Sequence, residues 1–323
     1  MRHRPLGTAT VTAVGCGDVS LAIAAARNVD AGELARALHH ALALGISLVD
    51  VSPEDEAERL VGDAVRSLRL RDGTVVVTHV PLVAERPGAP TKRDLLPERL
   101  PIRYVQERVE LSLRATRLDV LPLVMLTALP GWRTSSAWPE LTGTLARLVR
   151  EGKVLEWGEL VAPTPDESGV AVELPFVATT GTFNLCQRTT KVTLARHPLA
   201  GGALAGALGP GVHLAVHDDR HTLDGAALER SAVAAAHLAP LVHGEPPAAR
   251  SCDAARAVLE RGRRPDHLEA RTVAELALRW VIDRDAIALP RLHRKEHVDA
   301  AVAAASAPPL TPALLERLDS LDT

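Results

Sequence analysis

Eight short β-rich runs, each followed by a helical pattern or a loop, constrain this chain more than any other feature. They are "TVTAVGCG" (10–17), "ISLVDVS" (46–52), "TVVVTHV" (74–80), "VLPLVMLT" (120–127), "VLEWGEL" (154–160), "FVATTGTFN" (176–184), "VTLARHPL" (192–199) and "AIALPRL" (286–292). Most are nearly continuous in apolar residues. A strand with one wet face alternates apolar and polar, whereas an unbroken run suits a parallel strand covered on both faces. Between the runs lie "AGELARALHHALALG", "EAERLVGDAVRSLRL", "RYVQERVELSLRATR", "WPELTGTLARLVREGK" and "TVAELALRWVIDR", with apolar residues at helical spacing and charges opposite. One helix has both ends written in the sequence, with Asp30 placed to cap its start and Gly45 just past its end. Eight strands alternating with helices predict an α/β fold, a (β/α)8 TIM barrel with an N-terminal β-hairpin, formed by residues 1–323 as a single domain. An open doubly wound sheet is the alternative. That fold leads one to expect a Gly-rich turn after its first strand, and "VGCGDVSLA" lacks GxGxxG. Residues 201–270, rich in Gly, Pro, Ala and His, read as a long insertion over the top of the barrel.

Composition narrows the function classes. Apolar residues make up 46% and charged residues 24%, which is globular rather than disordered. A net charge of −3 provides no basic field for nucleic acid or acidic lipid. No apolar run is long enough to suggest a membrane span, and the N-terminus lacks the apolar core of a signal peptide. Cys16, Cys186 and Cys252 have no CxxC spacing, which fits a reducing compartment and gives no zinc signature. A soluble cytoplasmic protein acting on a small molecule is expected, without nucleic-acid or membrane partners. The Ala-, Leu-, Val- and Arg-rich usage fits a GC-rich genome, and with it a role in secondary-metabolite biosynthesis. Tyr104 is the only tyrosine, and its helical context places it on the outer ring.

The motifs, in order, are "RPLGTATVTAVGCG", "LVDVSPEDEAERLVG", "VELSLRATRLDVLPLVMLT", "LARLVREGKVLEWGEL", "HPLAGGALAG" and "ALPRLHRKEHVDAAVAA". Together they resemble the aldo-keto reductase family along nearly the whole chain. That family reduces carbonyls with NADPH through a tetrad of Asp, Tyr, Lys and His. The resemblance carries over only Asp50. The Tyr position falls in a shortened turn at or beside Asp55, the Lys position is His79, and the His position is Thr127. The pair that holds the nicotinamide carboxamide is replaced by Leu160 and Val161, whose side chains cannot hydrogen-bond an amide. The expected Gln lies near Thr180, and the aromatic that stacks on the nicotinamide is taken as Phe183. The resemblance leaves Gly201, Gly202 and Arg294, with Arg291 and Lys295, as groups able to meet NADP phosphates.

The residues themselves point to a further set of candidates. Asp50 and His79 end neighbouring strands, where barrel active sites lie, and a carboxylate beside an imidazole makes a general acid/base pair. Asp55 belongs to an acidic group with Glu54, Glu56 and Glu58 that also suits the first turn of a helix. Trp132, Trp157, Glu156 and Glu159 are expected near the barrel mouth, with Trp132, Trp157, Glu156 and Phe183 contacting substrate. "HLAVHDDRH" (213–221) contains His213, His217, Asp218, Asp219 and His221, but convergent ligands are missing elsewhere and no metal is expected. With three of the four tetrad positions changed, non-redox acid/base chemistry is the leading expectation: cyclisation, dehydration or isomerisation, with NADP absent or weakly bound. An NADPH-dependent reductase with an atypical proton donor is the first alternative. A non-catalytic binding or scaffold protein is the second.

Overall fold

The computed structural model describes residues 1–83, 95–129, 131–160, 176–188, 192–208, 220, 225–243, 270 and 272–320. The chain opens with a hairpin of β1 (His3–Leu6) and β2 (Ala9–Thr12), antiparallel, with His3 opposite Thr12. Eight parallel strands follow: β3 (Cys16–Val19), β4 (Leu48–Val51), β5 (Val75–Val80), β6 (Leu121–Thr127), β7 (Val154–Leu160), β8 (Phe176–Asn184), β10 (Leu194–Arg196) and β11 (Ile287–Leu289). The short β9 (Gln187–Arg188) folds back antiparallel on β8. The ring closes where Val14 bridges Ala288, with Gly15 N–H donating to the Ala288 carbonyl and Ala288 N–H to that of Ala13. This is the expected (β/α)8 barrel. The run read as one strand over 10–17 is divided: 9–12 belong to the hairpin and the barrel strand proper starts at Cys16.

The helices wrap this ring. They are α1 (Leu21–Ala26), α2 (Ala31–Ala43), α3 (Asp55–Ser67), α4 (Leu96–Arg99), α5 (Ile102–Thr116), α6 (Trp138–Arg150), α7 (Gly225–His243), α8 (Val273–Asp283), α9 (Lys295–Ser306) and α10 (Pro312–Asp319). The end signals of α2 act as the sequence implies. Asp30 accepts the Glu33 N–H at 2.7 Å, and Gly45 takes φ +89° while Ile46 N–H closes on the Ala41 carbonyl. The insertion is not all loop: α7 occupies 225–243 and packs against the turn at 200–205 and against α8. Its stretches 209–219, 221–224 and 244–269 lie outside the described residues, and His213, His217, Asp218, Asp219, His221 and Cys252 lie there too.

Two kinds of core hold the barrel. Inside it, Leu48, Val77, Leu123, Met125, Leu194, Ile287 and Leu289 meet Leu6 and Val11 of the hairpin, which plugs the bottom. Outside it, the opposite strand faces pack on the helices, with Val49, Val51 and Val76 fully buried. Each such side chain contributes roughly 1.5–3 kcal/mol by leaving water. Because strand side chains alternate, the inward positions can be counted upward from this core. They lead from Leu48 to Asp50, from Val77 to His79, from Met125 to Thr127 and from Leu194 to Arg196. Among the described residues no helix is long and apolar enough to cross a membrane.

Candidate active site

On β4, β5, β6 and β10 the inward positions at the C-terminal ends are polar where the layers below are apolar. Asp50 is 2% exposed, and its Oδ1 lies 2.5 Å from His79 Nε2. Its Oδ2 accepts the backbone N–H of Asp18 at 3.3 Å. The carboxylate–imidazole pair is therefore formed, and its second oxygen is held from the neighbouring strand. Thr127 is half-buried at the end of β6, and among the described residues its hydroxyl has no hydrogen bond.

A second charged group stands beside the first. Asp18, at φ +49°, accepts from the Ser52 hydroxyl at 2.7 Å and from Arg291 Nη2 at 2.6 Å and Nε at 3.2 Å. Arg196 Nη2 is 3.7 Å from the same carboxylate oxygen. Burial alone would raise the Asp18 pKa. The Arg196 and Arg291 guanidiniums, with the hydrogen bonds from Ser52 and Arg291, outweigh it and hold the carboxyl well below the usual range. Arg291 thus serves Asp18, rather than standing free for a phosphate.

Asp50 and Asp18 both border one cavity of about 380 Å³. It leads from Asp18 and Asp50 past Arg196 and His197 to the turn at Gly201 and Gly202, and ends against Arg294 and His297 at the start of α9. Leu278, Leu289 and Leu292 form apolar walls. Four arginines (Arg27, Arg196, Arg291 and Arg294) border it against two carboxylates, so the lining favours an anion. Gly201 and Gly202 take φ +63° and +99°, and a Cβ on Gly202 would sit 3.3 Å from that of Ala207. The turn depends on glycine there. His293 is 6% exposed with Nε2 unpartnered. Burial first, then the positive charges of Arg291, His297 and Arg27, push its pKa down to about 4, so it stays neutral near pH 7.

No family model matches the chain, and no curated protein matches it by sequence. Solved structures do share its architecture. The glycerol dehydrogenase from Gluconobacter oxydans superposes with a TM-score of 0.68 at 19% identity, over 98% of this chain and 94% of that one. The holo form of an aldo-keto reductase from Bacillus halodurans gives 0.64 at 20% identity, over 100% and 97%. An aldo/keto reductase from Klebsiella pneumoniae in complex with NADP and acetate gives 0.61 at 22%, over 99% and 94%. The chain has the aldo-keto reductase fold. These comparisons overturn the leading functional expectation. The proteins that share this aldo-keto reductase barrel are reductases and a dehydrogenase, two of the solved structures contain NADP or NADPH, and none points to cyclisation, dehydration or isomerisation.

Several expected site residues are placed elsewhere by the same barrel. Trp157 and Phe183 occupy the outward register of β7 and β8. Trp157 is 1% exposed, and its Nε1 donates to the Leu145 carbonyl of α6. Phe183 stacks on Trp280 of α8 with ring centroids 5.3 Å apart, so neither face toward the cavity nor a nicotinamide platform is available from it. Trp132 is buried with Trp138 and Leu129 in the shell around α5 and α6. Glu156 faces inward but at the bottom, where its Oε1 accepts the Thr8 N–H of the hairpin at 2.8 Å. Glu159 is held by Arg133 at 2.6 Å. Asp55 is exposed on the first turn of α3 and pairs with Arg108 of α5 at 3.6 Å, away from the cavity lining. Two of its acidic neighbours are drawn into the packing. Glu54 accepts from Ser20 and Leu21 and ties this turn to α1. Glu58 is buried between α3 and α5, accepts from Ser112 at 2.6 Å, and has its pKa raised by burial against the opposing pull of Ser112 and Arg108. Tyr104 lies on α5 in the outer ring, as its context implied. Among the described residues no cluster of three or more ligating side chains could hold a metal. Asp18 and Arg196 escaped the sequence reading. The alternation Leu194–Arg196 was the available signal for Arg196, whereas Asp18 depends on a positive φ that nothing in "VGCGDVS" announces.

Proposed function

We propose that the chain is an NADP(H)-dependent oxidoreductase acting on the carbonyl group of a small molecule, with the Asp50–His79 pair as its proton source. One observation carries this reading: a single cavity joins Asp50 to the Gly201–Gly202 turn and Arg294. The residues present fit the phosphate half of the cofactor. A glycine turn held at positive φ, the N-terminus of the 12-residue α9, Arg294, and the unpartnered His293 Nε2 together form an anion-seeking end. The carboxamide end fits less well, because Leu160 offers no hydrogen bond from its side chain; Val161 lies outside the described residues. Binding weaker than a polar pair would give is the consequence, at roughly 1–3 kcal/mol for each buried group left unsatisfied.

When bound, NADPH would supply the hydride for the carbonyl carbon. The protein supplies the proton that forms the O–H bond. The contact between His79 Nε2 and Asp50 Oδ1 would hold that proton, and the Asp18 N–H fixes the other carboxylate oxygen. The apolar walls limit water around the reacting carbonyl. Titration with NADPH, read by fluorescence, tests the first half of this reading. Consumption of NADPH with a panel of aldehydes and ketones tests the second. Absence of binding up to millimolar NADPH would overturn it.

A further inference from the structure

The Asp18 cluster carries more positive charge than its own carboxylate can use. Arg291 engages Asp18 through two nitrogens, but Arg196 stops at 3.7 Å, beyond hydrogen-bonding distance. Among the described residues that is its only ionic neighbour, and it makes no hydrogen bond. Its side chain is 25% exposed and borders the cavity. A guanidinium at the inner end of a cavity, with its planar fork unused, suits a carboxylate, which it can meet through two parallel hydrogen bonds. Its location separates this demand from that of the cofactor's phosphates. The glycine turn and Arg294 stand at the outer end, whereas Asp18 touches Asp50 through its backbone N–H. An anion held by Arg196 is therefore attached to the molecule whose carbonyl faces the Asp50–His79 pair.

The geometry points to Arg196 as the carboxylate-binding residue of the substrate site, so that the substrate is a small carbonyl compound bearing a carboxylate. Its being a carbonyl compound rests on the proposed reductase function; the carboxylate site does not. Asp18 is the built-in competitor of that carboxylate. It shares the guanidiniums and orients them in the absence of ligand.

Two measurements separate the two claims. The first is calorimetric titration of the protein alone with para-(hydroxymethyl)benzoate and with its neutral amide. The carboxylate is expected to bind about tenfold to a hundredfold more tightly, in line with a charged bidentate hydrogen bond. Arg196→Gln should remove that preference, Arg196→Lys should keep part of it, and Asp18→Asn should enlarge it by freeing both arginines. The second is reduction of para-carboxybenzaldehyde and para-formylbenzamide by the NADPH-loaded protein, compared as a ratio of kcat/KM. Equal binding of acid and amide in the wild type, or an unchanged preference in Arg196→Gln, overturns the carboxylate site whether or not the protein is a reductase. Loss of NADP⁺ affinity in Arg196→Gln with the carboxylate preference intact reassigns Arg196 to the cofactor and overturns it equally. A carboxylate preference that depends on Arg196, without reduction of either aldehyde, sustains the site and removes the reductase reading.

Discussion

The inner and outer ends of the cavity are built by opposite rules. At the inner end every charge but that of Arg196 is matched at close range. Asp50 has His79 and the Asp18 N–H, while Asp18 has Ser52 and Arg291. At the outer end positive groups stand with little to answer them: Arg294 is 43% exposed, with Glu33 at 3.5 Å, and Gly201 and Gly202 offer backbone rather than side chain. Matched charges hold groups in a fixed geometry, which proton transfer needs. Unmatched ones hold free energy in reserve for a ligand that brings the missing charge. On the proposed function, chemistry belongs to one end and cofactor affinity to the other, and each end can be broken separately.

Breaking the inner end has the largest expected effect. His79→Ala and Asp50→Asn should each lower kcat by about a hundredfold or more, the usual range for losing a general acid. The NADPH dissociation constant should stay within about twofold, because neither side chain belongs to the outer end. Steady-state kinetics beside fluorescence titration checks this. A dissociation constant that rises as far as kcat falls would erase the distinction between the two ends.

The pH dependence of stability probes the outer wall. His293 titrates near 6.5 when unfolded and at about 4 in the folded protein, so between these values the unfolded chain binds more protons. Its contribution is fully present above pH 6.5 and is lost as pH falls toward about 4, amounting to roughly 3 kcal/mol across that window. Asp18 acts lower, because its depressed pKa confines its loss to pH values below the ordinary aspartate range. Urea midpoints measured over this interval should fall less steeply in His293→Gln than in the wild type. Parallel slopes would mean that His293 is not held neutral.

Arg294→Ala gives a smaller effect, confined to affinity. NADPH binding should weaken about tenfold at low salt and the difference should shrink as salt is added, since the side chain is partly exposed to solvent. An equal loss at high salt would show a desolvated contact instead.

The sequence made the barrel legible because the fold rests on periodicities that repeat along the chain. The strands at 154–160 and 176–184 begin and end where the apolar runs do. The geometry of the site was legible only where a residue's position follows from its strand and register. Asp50 and His79 qualify, since both lie two residues above an interior core position on adjacent strands. Trp157 and Phe183 were misplaced because their size and aromaticity suggested ligand contact, although their register turns them outward. Glu156 has the inward register but the wrong height, which depends on how far the hairpin reaches up from below. Asp18 and Arg291 find each other from residues 273 apart in sequence, on the first barrel strand and just past the end of the last, and no local pattern records that pairing.

Phe183 gives the smallest effect and the sharpest check on that register argument. Its ring is stacked on Trp280 with a 27° interplanar angle, and Arg188 and Arg284 lie over the indole at 5.2 and 5.5 Å. Phe183→Leu keeps an apolar side chain of similar volume but loses the aromatic pair. Stability should fall by about 1 kcal/mol, the usual contribution of such a pair beyond buried area. NADPH affinity should not change, because the ring faces the helical shell rather than the cavity. A nicotinamide platform would behave in the opposite way, with affinity falling while stability barely moved. Thermal unfolding and NADPH titration on the one variant therefore distinguish a residue of the shell from a residue of the inner end.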